Sequence, residues 1–204
     1  MSITTIVFVA ALWVTPMYTE CPLPEGLTKG DKVDFHRVFD KMMYDWENDG
    51  EYHRDPRGIE TKWGVASTAY PDLDIKALTK PEAMEIARSN YWVPARVTVA
   101  PPKVKYALFD MAYNAGTATA VRLLQRAMNN VVAARGYDWD PLTTDGQAGP
   151  KTQQRMLALH REDAFVLRCF VYQRMDYYTS LLQARPEEYG TSYNGWLRRA
   201  LEAV

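Results

Sequence analysis

Glycine and proline cut this chain into segments that each carry a helical apolar stripe, and that punctuation confines it to a mostly helical fold. From Asp31 to about Asn48, Phe35, Val38, Phe39, Met42, Met43 and Trp46 recur at the spacing of an amphipathic helix, and Gly50 and Pro56 rule out its continuation. Thr79, with Pro81 and Glu82, reads as a capping box opening a helix through Tyr91 or Trp92. Pro101 and Pro102 sit where the helix carrying ALFDMAYNAG begins, and Gly116 ends it. Helical spacing resumes over residues 117–134. Beyond a Gly-, Asp- and Pro-rich connecting loop, residues 135–152, the stretches TQQRMLAL, EDAFVLRCFVYQRMDYYTSLL and NGWLRRALEA supply three more helices. Strand signals are confined to short pieces near Tyr52 and Lys62.

Charge and ligand chemistry exclude several classes. A formal net charge of -1 with both signs interspersed offers no basic stripe to neutralise phosphates, so no nucleic-acid partner is expected. Cys21 and Cys169 cannot form a disulfide framework, and His36, His53 and His160 are scattered without a metal-ligand spacing. Neither a metal nor an organic cofactor is expected. With 47% hydrophobic residues over 204 positions, there is ample material for a packed core.

The N-terminus is unusual. Met1 to Thr19 holds no charged side chain, and ITTIVFVAALWV is nearly continuous apolar or threonine. A spanning helix needs about 20 apolar residues, so this run is marginal in length and, with Pro16, weakly hydrophobic. No basic residue precedes it and no A-x-A cleavage site follows. The reading is an uncleaved export segment that holds the protein at a membrane, with residues 22–30 as its tether; the alternative is a buried element of the core.

The stretch WENDGEYHRDPRGIETKWGV crowds carboxylates at Glu47, Asp49, Glu51, Asp55 and Glu60 just past an apolar stripe. A carboxyl at the end of such a stripe is partly desolvated, which disfavours its charged form and raises its pKa toward a range useful for proton donation. Glu47, beside Trp46, fits that description; Asp49 and Asp55 lie in turn-like sequence that keeps them ionised. Glycosidic bond cleavage uses this division between one protonated acid and a second polar group that handles water. Thr61 is placed to position that water, and Trp63, Tyr70, Tyr91, Trp92 and Tyr113 offer rings that stack on sugar faces. A solvated acidic loop over a core that buries the aromatics is the competing interpretation.

This segment resembles the catalytic stretch of the phage and bacterial N-acetylmuramidases of glycoside hydrolase family 108, whose pattern closes on E-T-x-x-G-I; here Gly58, Glu60, Thr61, Gly64 and Val65 stand in those places. Aligned without gaps from that end, the family's catalytic glutamate falls on Glu47, whereas aligning Tyr52, Asp55 and Pro56 with the family's Y and D-P puts Asp49 there. Glu47 is preferred, because its register keeps the spacing to Thr61 and an aspartate has a shorter reach and lower intrinsic pKa. The resemblance continues through residues 68–92 and 107–129, where Asp110, Asn114 and Gly116 match a recurrent D-x-x-x-N-x-G. TDGQAGPKT and GWLRR are similar to the peptidoglycan-binding region that follows such catalytic segments. The leading run resembles the signal-arrest-release anchors of some phage endolysins.

The resemblance implies a lysozyme-like helical fold with a small β element near the active site: an anchor and tether over residues 1–30, a catalytic region over 31–116 and a helical peptidoglycan-binding region over 117–204. It implies a monomeric endolysin, exported, tethered at the inner membrane and then periplasmic, which cleaves the β-1,4 bond between N-acetylmuramic acid and N-acetylglucosamine in peptidoglycan glycan strands for host lysis. Glu47 is the expected acid, Asp55 or Asp49 the auxiliary carboxylate and Thr61 the water-placing residue. Tyr52, Trp63, Tyr70, Asp110 and Asn114 are the expected substrate contacts, with the capping or bracing of helices an equal alternative for Asp110 and Asn114. The rivals are a lytic transglycosylase, a non-catalytic membrane-tethered murein binder, and a cysteine amidase or peptidase using Cys169 and His160. A regulatory Cys21–Cys169 disulfide is weighed against a simply buried Cys169.

Overall fold

The computed structural model describes residues 29–202 apart from residue 57; the expected anchor, most of its tether and Cys21 lie outside the described residues. Helix α1, Lys29–Trp46, buries Phe35, Phe39, Met42 and Met43 completely or nearly so, which is the face its apolar stripe marks. A three-stranded antiparallel meander follows, with β1 at His53–Arg54, β2 at Glu60–Lys62 and β3 at Val65–Ala66. Its register pairs His53 with Thr61 and Lys62 with Val65, so Trp63 and Gly64 form a two-residue turn. Both take positive φ, 54° and 73°, as a type I′ hairpin turn requires.

Helix α2, Lys80–Ala87, opens as expected: the Glu82 carboxylate accepts hydrogen bonds from both the Thr79 backbone N–H and its hydroxyl. It does not run on as an α-helix to Tyr91. A wider π-turn over Arg88–Trp92 takes its place, with Trp92 packed between Phe35 and Phe109, each at a ring separation of 5.3 Å. Helices α3, Lys105–Ala115, and α4, Thr117–Arg135, meet at Gly116, whose φ of 87° breaks the helical path.

Three further helices complete the fold: α5, Pro150–Ala158; α6, Asp163–Ala184; and α7, Pro186–Leu201. Helix α7 starts eight residues earlier than the apolar pattern suggests. Pro186 at its first turn and Glu187 and Glu188 beside it are favourable helix starters, and they outweigh Gly190 and Gly195 within. One core extends from Phe35 and Phe39 of α1 through Leu108, Phe109, Leu124 and Phe170 to Ala200 of α7. The fold is mostly α and lysozyme-like, with its small sheet at the end of α1. Among the described residues no helix is long and apolar enough to cross a membrane.

Candidate active site

Glu47 is the first residue past α1, and local backbone geometry explains why the helix stops there. Asn48, Asp49 and Gly50 take φ of 48°, 51° and 77°, a left-handed run that no α-helix can contain. Asparagine, aspartate and glycine tolerate that region best. The turn folds the meander back onto the helix end so tightly that a Cβ on Gly50 would lie 1.8 Å from the Trp63 ring. Gly64 is held as closely: a Cβ there would stand 2.5 Å from Tyr113 and 3.1 Å from the Glu47 carboxyl carbon. The hairpin turn can cover Glu47 only because neither glycine has a side chain.

A pocket of about 340 Å³ opens at this junction, lined by Trp46, Glu47, Gly64, Ala66, Ala69, Tyr70, Tyr91, Tyr113, Asn114 and Arg199. Its tyrosines are fixed by each other: the Tyr70 and Tyr91 hydroxyls are 3.2 Å apart, Asn90 donates to Tyr70 at 3.0 Å, and Tyr113 donates to the Trp63 carbonyl at 2.8 Å. Trp46 donates its indole N–H to the Tyr106 hydroxyl at 3.0 Å, and that hydroxyl donates to Asp45.

The charges form a chain. Glu47 Oε1 accepts a hydrogen bond from Arg199 Nη1 at 3.1 Å, Arg199 Nε donates to Asp110 Oδ1 at 2.6 Å, and Arg174 Nη2 donates to Asp110 Oδ2. Arg174 and Asp110 are fully buried, while the Glu47 side chain keeps 18% of its exposure and Arg199 11%. Burial raises the Glu47 pKa above the ordinary glutamate value; the Arg199 guanidinium opposes this and the Asp110 charge adds to it. Burial also pushes the Tyr113 hydroxyl well up, with a further push from the Glu47 charge, so it remains a neutral donor.

The structure gathers some of the expected site residues and separates others. Glu47, Tyr70 and Asn114 share the pocket, with Asn114 also donating to the Tyr178 hydroxyl at 2.8 Å. Asp110 lies behind it, one guanidinium away from Glu47. Trp63 contributes its backbone carbonyl to Tyr113, and its ring packs under Gly50. The remaining four sit on the turn and meander beside the pocket, outside its lining. Asp49 is exposed on the left-handed turn. Asp55 braces the β1–β2 connection, its Oδ1 accepting from the Ile59 N–H at 2.9 Å. Thr61 is central in β2, between His53 and Ala66, and the Tyr52 hydroxyl donates to Glu60 at 2.5 Å.

Arg199 and Arg174 are the participants that pattern reading missed. A signal existed for Arg199, which closes the GWLRR motif. Elsewhere, burial pushes the Cys169 thiol up, the opposite of an activated nucleophile, and the His160 ring is held 3.0 Å from the Val99 carbonyl. Among the described residues no cluster of three or more His, Cys, Asp or Glu is arranged to hold a metal ion.

Residues 41–116 match the family model described as Glycosyl hydrolase 108, and residues 119–201 match the one described as Predicted Peptidoglycan domain. The chain carries a glycosyl hydrolase 108 domain. It is therefore a glycoside hydrolase, and the second match makes peptidoglycan its substrate class. Among solved structures, that of Brucella abortus SagA is similar in fold, with a TM-score of 0.58 at 22% identity over 84% of this chain and 95% of that one. No curated protein matches the chain in sequence. The pocket of this glycoside hydrolase draws Glu47 from the first matched region and Arg199 from the second.

Proposed function

We propose that this hydrolase cleaves the β-1,4 bond between N-acetylmuramic acid and N-acetylglucosamine, and that it serves as a phage endolysin in host lysis. The observation that carries the reading is Glu47 itself, a largely buried carboxyl with a raised pKa at the wall of an open, tyrosine-lined pocket. In its neutral form it gives its proton to the bridging oxygen as the bond to the anomeric carbon breaks, and water then supplies the new hydroxyl. Asp49 or Asp55, with Thr61, handles that water from the turn and meander that begin directly after Glu47. Tyr70 and Asn114 provide a ring and an amide to hold the sugars.

Product analysis tests the chemistry. Mass spectrometry of purified murein digested with the enzyme is expected to show reducing muramic ends; anhydromuramyl ends would mean that the sugar's own hydroxyl attacks, and a lytic transglycosylase would replace the hydrolase reading.

The uncharged run at the N-terminus supports a releasable membrane anchor and delivery to the periplasm. A short, weakly apolar segment suits release, since each methylene withheld from the bilayer lowers retention by about 0.8 kcal/mol. Deletion of residues 1–20 is expected to leave murein cleavage in vitro intact while abolishing lysis from inside the cell. Loss of the thermal unfolding transition in that variant would instead assign the run to the core.

A further inference from the structure

We propose that Arg199, on the last helix of the region matched as a peptidoglycan domain, is a positioning residue of the catalytic site: it orients the Glu47 carboxyl and, held by Asp110, balances its charge through the proton-transfer cycle. The inference rests on Glu47 being the acid and deepens that reading. It gives the C-terminal region a part in the chemistry.

Geometry supports the assignment. Arg199 reaches Glu47 across 152 positions of sequence, and its guanidinium is shared, with Nη1 on Glu47 at 3.1 Å and Nε on Asp110 at 2.6 Å. Its plane is fixed further by Trp46, whose ring centre lies 5.6 Å from the guanidinium carbon, while Arg198 approaches the same ring at 5.4 Å. Asp110 is locked from behind by Arg174 on α6. An arginine attached only to Glu47 would hold it firmly ionised and unable to donate; one absorbed wholly by Asp110 would leave the carboxylate formed after donation unsupported. The shared guanidinium avoids both.

The charge count shows the balance. Glu47, Asp110, Arg174 and Arg199 sum to zero when Glu47 is ionised and to one positive charge when it is neutral. The neutral acid gives its proton to the glycosidic oxygen, becoming a carboxylate at the moment the positive excess can compensate it, and it regains a proton from solvent for the next turnover. The other titratable groups around Glu47 are the hydroxyls of Tyr113 on α3 and of Tyr70 and Tyr91 across the pocket. Burial raises the Tyr91 and Tyr113 hydroxyls, so neither of them changes charge in the working range.

The test is the pH profile of kcat/KM on soluble murein fragments with the full chain. Arg199→Gln keeps an N–H donor but removes the charge, and it is expected to move the alkaline limb upward by about one pH unit or more, with a lower kcat. Arg199→Lys restores the charge without the planar fork; it returns the limb toward its original position while kcat recovers only in part. Asp110→Asn, which frees Arg199 for Glu47, moves the limb the other way, to lower pH. A structural brace would lower activity through stability alone and leave the limb in place, so a folded Arg199→Gln with an unmoved limb overturns the inference. Should Arg199→Gln not fold, Asp110→Asn carries the same test, and an unmoved limb there has the same force. Glu47→Gln separates the two levels: if it stays active, the functional reading fails, whereas an inactive Glu47→Gln beside an unmoved limb in the arginine variant sinks only the role of Arg199.

Discussion

Glu47→Gln is expected to lower murein cleavage by about 10²–10⁴-fold, the usual size of a general acid's contribution, without lowering the melting temperature at neutral pH. Glutamine keeps the shape of the side chain and an oxygen that accepts from Arg199 Nη1, but has no proton to give. The stability half follows from linkage. Because burial raises the folded pKa of Glu47, its neutral form is favoured by the fold. That contribution is fully present below the ordinary glutamate pKa and is lost as pH rises through the raised value. A side chain that is always neutral does not lose it. Asp49→Asn, measured alongside by turbidity loss of outer-membrane-permeabilised cells, is expected to cost far less activity than Glu47→Gln, since Asp49 is exposed and outside the pocket lining. Full activity in Glu47→Gln together with loss in Asp49→Asn would transfer the acid's role to Asp49.

Asp110→Ala is expected to cost about 3–5 kcal/mol of stability, the range for removing one partner of a buried ion pair. Asp110 and Arg174 are both fully buried, and Asp110 is the shared acceptor for Arg174 and Arg199. Alanine leaves Arg174 without its counter-charge in the core between α3 and α6 and takes from Arg199 one of its two carboxylate partners. For a chain of this length the loss reads as a fall in melting temperature of about 6–20 °C. Activity falls as well, because Arg199 is released to engage Glu47 alone. A melting temperature within a degree or two of the parent would show that water or a rearranged partner satisfies Arg174, and that Asp110 is not the anchor described above.

The helices were legible where side-chain chemistry is local. The stripe ending at Trp46, the Thr79–Glu82 box and Gly116 each act over a few residues, so spacing alone marks α1, α2 and the break between α3 and α4. The π-turn at Arg88–Trp92 was not legible, because the packing of Trp92 between Phe35 and Phe109 accompanies it and those rings come from distant helices. The early start of α7 was obscured by Gly190 and Gly195, whose propensity cost is offset by packing against the core through Ala200.

By itself, the sequence determined a chain of amphipathic helices interrupted by an acidic, glycine-rich turn, and it singled out Glu47 as the carboxyl to watch, since desolvation at the end of an apolar stripe is a local effect. The tertiary structure alone decided what surrounds that carboxyl. Arg199 meets it from 152 positions away, and Asp110, open in the sequence between a sugar contact and a helix brace, is the buried counter-charge behind the arginine. Spacing rules describe neighbours within a helix or strand, whereas charge pairing is governed by distance in space. That distance exists only once α7 has packed against α6 and brought its guanidinium to the end of α1.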